Sequence, residues 1–261
     1  MGMGRLTSLV WTIVAVATCS AALPTAAQDK KKSDKKSEPR VIVAVPLGLS
    51  PGTTTKITLR GIRLDKATLV KVEGDRGQVR IISKEPVALP DKFTNPEKVG
   101  DSEVVAEVTL PKKFQEEAVT LVVVTPEGTT KPHKLLVDRT PVTPEKEPND
   151  GFKQAQQINL PVVIEGMIDR PRDVDVFRFS GKKGQKITAE VLAHRYGSTL
   201  DAMLTLYNAI GQQVAFNDDL GPETRDARLQ AVLPADGDYL LVLIDAYDTG
   251  GPAHAYRLVV K

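Results

Sequence analysis

The sequence predicts an all-β chain of two successive β-sandwiches, and three observations predict it. Apolar residues recur at every second position in runs of roughly five to nine residues, the spacing of strands with one buried face. Those runs stop at glycine, proline or asparagine, the residues that build turns. A proline-marked segment, RTPVTPEKEPND, divides the runs into a front and a rear group.

The first 27 residues come before any such run. A single arginine, an apolar stretch from Leu9 to Ala17 and a small-residue approach to Ala27 have the layout of a secretory signal peptide. The apolar stretch is far shorter than the roughly 20 residues that span a bilayer, so the mature chain is expected to have no transmembrane segment and to be secreted, periplasmic or at the cell surface. Cys19, the single cysteine, ends the apolar stretch and is an alternative point for lipid attachment. Cleavage at Ala27 leaves no thiol, so stability must come from packed cores or bound ions. Residues 28–39 are lysine-rich, with neither aliphatic nor aromatic side chains after Gln28, and read as a solvated tether. Without aromatic rings to stack on bases, this run does not point to nucleic acid.

The front sandwich is expected over residues 40–139. TKITLRG (55–61) and ATLVKVEG (67–74) alternate apolar and polar residues, and VVAEVTLP (104–111) and VTLVVVTPEG (119–128) follow as β-rich runs. PEG at 126–128 marks a hairpin turn, with Pro132 at the start of the returning strand. Residues 83–102 show no strand pattern and read as a long loop. The segments VAVPLGLSPGTTTKITLRGIRLDKATLV (43–70) and VVTPEGTTKPHKLLV (123–137) resemble the immunoglobulin-like modules of the IPT/TIG type.

Residues 140–150 form the proline-rich hinge, stiffened by Pro141, Pro144 and Pro148. The rear sandwich, 151–261, has strands at PVVIE (161–165), DVFRFS (175–180) and QKITAEVLA (185–193). Two hairpins follow, over 202–219 with a turn at 208–211 and over 228–246 with a turn at 235–237, and AYRLVV (255–260) closes the sheet. About eight short strands without a helix imply a jelly roll.

Charge is divided between the halves: residues 28–139 hold 21 Lys and Arg against 16 Asp and Glu, whereas residues 140–261 hold 13 against 17. The rear half is therefore the one suited to a cation. Glu145, Glu147, Asn149 and Asp150 cluster in the hinge, and Asp169, Asp173 and Asp175 lie in IDRPRDVDVFRF. A hard cation such as calcium takes about six to eight oxygen ligands, and these groups could share one if the hinge folds back beside the first hairpin. The same residues also read as solvated surface or turn caps. Neither group matches the EF-hand loop.

EPNDGFKQAQQI, GMIDRPRDVDVFRFSGKKGQKITAEV, DAMLTLYNAIGQQVAFNDD, and LPADGDYLLVLIDA followed by AYRLVV together resemble the bacterial pre-peptidase C-terminal domain, a noncatalytic module of secreted proteins. The resemblance implies that calcium is held by Glu145, Glu147, Asn149 and Asp150, completed by Asp173 and Asp175, with Tyr247 or Tyr256 as a neighbour. The DVD spacing at 173–175 departs from the D-x-x-D of the calcium-binding members. Asp201, Asn217, Asp218, Asp219 and Asp226 form a second acidic set, read either as turn caps or as a second metal site.

Nothing in the sequence points to an enzyme. His133, His194 and His254 are scattered, and no HExxH or G-x-S-x-G motif occurs. Ser198, with His194 and Asp201 nearby, reads as a connecting loop. Arg195 and Tyr196 offer a charged fork and an amphipathic ring as a ligand face. The expected role is a secreted structural or adhesion protein with a calcium-stabilised hinge. The alternative is a module that binds an extracellular protein or polysaccharide, including as an accessory to a secreted peptidase.

Overall fold

The computed structural model describes residues 38–89 and 95–261. The signal segment with Cys19 and the tether through residue 37 lie outside the described residues. Among those described, no helix is long and apolar enough to cross a membrane.

The front unit contains β1 (Arg40–Val45), β2 (Gly48–Leu49), β3 (Thr54–Ile62), β4 (Leu69–Val72), β5 (Gln78–Pro86), a one-turn helix α1 (Pro96–Val99), β6 (Ser102–Thr109), β7 (Ala118–Thr125), β8 (Gly128–Thr129) and β9 (His133–Val137). One sheet runs β1-β3-β6-β5, and the other β2-β9-β7-β4 with β8 beside β7. That is the immunoglobulin arrangement: strands one, two, five and four on one face, three, six and seven on the other. Alternation does the work. Ile57 and Leu59 of β3, Val104, Ala106 and Val108 of β6, and Leu121 and Val123 of β7 turn inward and are fully buried together.

The expected long loop over residues 83–102 is corrected by β5, which runs through Pro86, and by α1. β5 lies at a sheet edge and is exposed or half-buried along its whole length, with Ile82 44% exposed. Val79 and Ile81 in its first half alternate and pack against the core, whereas its second half, SKEP, carries no aliphatic side chain to mark a buried face. Helix α1 is set by its ends: the Asn95 side chain accepts from the Glu97 amide, Pro96 opens the turn, and Gly100 closes it.

The rear unit contains β10 (Thr143–Pro144), β11 (Gln156–Gln157), β12 (Val162–Met167), β13 (Asp175–Gly181), β14 (Lys186–Leu192), β15 (Ala202–Asn208), β16 (Gln213–Asn217), β17 (Arg228–Val232), β18 (Gly237–Asp245) and β19 (Ala255–Val260). The sheets run β10-β12-β19-β14-β17 and β11-β13-β18-β15-β16. Among the eight longer strands the first pairs with the eighth, the second with the seventh, the third with the sixth and the fourth with the fifth, all antiparallel. That nested pairing is the jelly roll. Ile187, Ala189 and Val191, placed on one face by their spacing, are buried with Phe177, Phe179, Leu241, Leu243 and Leu258.

The linker is not a free spacer. β10 pairs in parallel with β12, and the Glu145 amide donates to the Glu165 carbonyl at 2.8 Å. The two sandwiches also share a junction in which Val43, Leu47 and Val99 pack with Ala253 and Ala255. Beside it Arg257 of β19 donates from Nε to Glu165 at 2.7 Å and pairs with Asp138 of the front unit, while Glu165 accepts from the Leu47 amide at 2.6 Å. Burial pushes the Glu165 carboxyl up, against the pull of Arg257. Gly197 (φ 90°) touches the front unit so closely that a Cβ there would lie 2.3 Å from the Ile42 carbonyl oxygen.

Candidate metal centre

Backbone pairing brings the acidic segments together. The Val176 amide donates to the Asn149 carbonyl at 3.1 Å, laying the linker beside the start of β13. Gly166 of β12 stands opposite Tyr256 of β19. A Cβ at Gly166 would come within 2.5 Å of both Glu145 Oε2 and the Tyr256 ring, so the bare strand position makes the space in which those two groups meet.

Glu145 is the organiser. Its Oε1 accepts from the Tyr256 hydroxyl at 2.9 Å and from Asn149 Nδ2 at 2.8 Å, and its Oε2 accepts from the Met167 amide at 2.9 Å. Glu147 Oε2 accepts from the Asn149 amide at 3.0 Å. Two groups of carboxylates result, Glu145 with Glu147 and Asp175, and Glu147 with Asp169 and Asp173. In each, one oxygen per residue lies within 4.8 Å of the others. The linker and the first hairpin therefore converge.

The electrostatics are those of crowded acceptors. Asp175 is fully buried, and neither of its carboxylate oxygens has a hydrogen bond. Its pKa is pushed up to about 10, first by burial and then by repulsion from Glu145. Burial raises Asp173 and Asp169 as well, and burial with the surrounding carboxylates raises Glu147. The Tyr256 hydroxyl is held well above its ordinary value by burial and by Asp175 and Glu145. Asn149 Oδ1, in a residue with no exposed surface, also lacks a donor. Buried acceptors are almost always paired, and an unpaired buried carboxylate is strongly disfavoured. Oxygen donors from carboxylates and an amide make a set that a hard divalent cation fits.

Asp150 does not join either group. Its carboxylate is paired with Arg170, which also lies 3.1 Å from Asp173 Oδ1. This arginine was not singled out from the sequence, although it is one of two bases, with Arg172, among the acidic residues of the IDRPRD loop. Gly166 was also missed, although a glycine inside a strand marks a close approach. Of the two tyrosines named as neighbours, Tyr256 is at the site and Tyr247 is 72% exposed elsewhere.

The second acidic set is not gathered. Asp226 is buried and fully engaged, accepting from the Ala193 and His194 amides at 3.0 and 2.6 Å and from Arg195 Nε at 2.6 Å. Asn217 Oδ1 accepts from the Arg228 amide at 2.7 Å, Asp201 lies 3.5 Å from Arg225, and Asp218 and Asp219 belong to neither carboxylate group. These residues cap turns and pair with arginines. In the Arg195–Tyr196 pair, Arg195 is held by Asp226 and Glu190, and half-buried Tyr196 packs at the junction beneath the Lys134 ammonium. Ser198 Oγ donates to the Ala253 carbonyl at 3.1 Å, not to a histidine.

No family model matches the chain. A probable subtilase-type serine protease of Deinococcus radiodurans is 32% identical over 212 residues, which cover 77% of this chain and 28% of the protease. The chain thus spans well under a third of that relative's length. Among solved structures, the pre-peptidase C-terminal domain of a Bacillus anthracis collagenase is similar over 41% of this chain and 94% of its own, at 20% identity and a TM-score of 0.34. A Bacteroides ovatus mixed-linkage glucan utilization protein, solved with a heptasaccharide, is similar over 82% of this chain and 71% of its own, at 10% identity and a TM-score of 0.24. The C-terminal domain of the Streptococcus agalactiae BspA polypeptide covers 80% of this chain and 90% of its own, at 10% identity and a TM-score of 0.18.

Proposed function

We propose that this chain is an exported, noncatalytic adhesion or scaffolding module, an immunoglobulin-type sandwich of the IPT/TIG kind joined to a pre-peptidase C-terminal-type jelly roll, whose linker carboxylates hold calcium. The observation that carries the metal reading is the pair of undonated oxygens on fully buried Asp175, facing Glu145 and Glu147. Bound calcium supplies the positive charge and the high oxygen coordination that such a set needs. Glu145 joins the site to the sheet through Met167 and Tyr256, and Asn149 presents its free amide oxygen from the linker. Glu147 is common to both carboxylate groups and joins them into one acidic site.

The test is thermal unfolding of the full chain with calcium and with chelator. A melting temperature that rises with calcium, and fails to rise in the Glu147→Ala/Asp173→Asn double variant, supports the reading. A curve indifferent to millimolar calcium removes it. A second reading, an accessory unit of a secreted peptidase, is favoured by the match to part of a protease. Its test is whether the chain binds a purified subtilase-type protease and changes that protease's turnover of protein substrates.

A further inference from the structure

A cleft of about 710 Å³ opens where α1 of the front sandwich faces segments 194–199 and 245–254 of the rear one. Its floor is built and satisfied. His254 is 2% exposed, and its Nε2 lies 2.9 Å from Thr249 Oγ1, which donates to Asp245 Oδ2 at 2.8 Å. The same Asp245 oxygen accepts from the amides of Tyr247 and Thr249 at 3.0 and 2.9 Å. These bonds fix the turn that follows β18, which is braced from behind where the Arg172 amide donates to the Asp248 carbonyl and the Gly251 amide to that of Ile168.

At the tip of this fixed turn Tyr247 is 72% exposed, while the other tyrosines are buried or half-buried. An aromatic ring held out on a rigid turn is costly to leave in water and needs no further ordering to bind. The cleft is also lined by Lys98 and His194, whose side chains make no hydrogen bond among the described residues, and by Arg225, whose Nε lies 3.5 Å from Asp201. Charge at the cleft is nearly balanced: Arg225 lies beside Asp201, and the lining holds Lys98 together with the buried Asp245. The site therefore offers a ring face, the unspent donors of Lys98 and His194 and the outer guanidinium nitrogens of Arg225, without a field that selects a polyanion or a polycation. That combination matches a sugar ring, with an apolar C–H face for stacking and hydroxyls for the donors.

We propose that this junction cleft binds a neutral polysaccharide, with Tyr247 as the stacking platform and Arg225 and His194 as hydroxyl-binding side chains. The inference rests on the reading of the chain as an adhesion module and is independent of its calcium part. The experiment is titration calorimetry of the full chain with cellohexaose, laminarihexaose and chitohexaose, alongside a hyaluronan hexasaccharide and poly-glutamate. Saturable binding of at least one neutral hexasaccharide is expected. It should weaken at least about tenfold, or ~1.4 kcal/mol, in Tyr247→Ala and in Arg225→Ala, and persist in Tyr247→Phe. All three variants should keep the parent's melting curve. The proposal is overturned if every neutral hexasaccharide fails to bind, if hyaluronan or poly-glutamate binds more tightly, or if Tyr247→Ala binds like the parent. An intact calcium response without sugar binding removes only the cleft, and sugar binding without a calcium response removes only the metal reading.

Discussion

Asp175 and His133 show how a single buried side chain sets a condition on the whole chain. Asp175 has no donor for either oxygen and faces Glu145 and Glu147. Without a cation Asp175 must be held protonated, because its pKa is pushed up to about 10, and Asp175→Asn removes the cost of taking up that proton on folding while keeping the shape. In chelator the variant is therefore expected to melt at least about 2 °C above the parent, and in calcium below it; melting curves under both conditions check the reversal. His133, buried at the junction with Nε2 unpaired, is lowered by burial to about 4. A base with a folded pKa below its unfolded value gives stability that is fully present above the unfolded value, near 6.5, and lost as pH falls toward 4. The loss should reach about 3 kcal/mol across that window, and His133→Gln should flatten the slope in denaturant titrations between pH 4 and 7. Spacing alone could not sort the acidic residues. Asp150, Asp173 and Asp226 look alike in sequence, yet Asp150 meets Arg170, Asp226 meets two backbone amides and Arg195, and Asp173, which accepts from the Asp169 amide and lies beside Arg170, keeps Oδ1 without a hydrogen bond and is grouped with Glu147 and Asp169. What separates them is which donors and which other carboxylates the fold brings within reach.

At the scale of the element, most strands were legible because one face of each is buried and the other is wet. β3, β6, β7 and β14 follow period two, and their inward residues are the ones the alternation selects. The second half of β5 was not legible because its residues 82–86 are all exposed, and β10 was not because a two-residue parallel pairing depends on where β12 lies. β12 carries the sharpest prediction. Gly166→Ala would drive a methyl into Glu145 Oε2 and the Tyr256 ring, at a cost of about 1–3 kcal/mol typical of overpacking. A lower melting temperature together with weaker calcium binding by calorimetry is expected, whereas a change at an exposed position of the same sheet, Lys186→Ala, should leave both unaltered.

At the scale of the molecule, the two sandwiches were readable as separate units, but their joining was not. The junction depends on Leu47, Asp138, Glu165 and Arg257, which are widely separated in sequence and belong to no motif. Arg257→Met should leave Asp138 and Glu165 unpaired in a buried setting, at a cost of about 3–5 kcal/mol. Calorimetry should then resolve two unfolding transitions where the parent shows one. β19 lies between β12 and β14, placing Tyr256 beside Glu145 and Arg257 against the front unit. During synthesis the front sandwich is complete once β9 has emerged from the ribosome, whereas the rear one lacks a middle strand until residues 255–260 follow. A nascent chain stalled near residue 250 should therefore resist protease in its first half and be cut in its second, which keeps the rear half open and threadable until the last strand arrives.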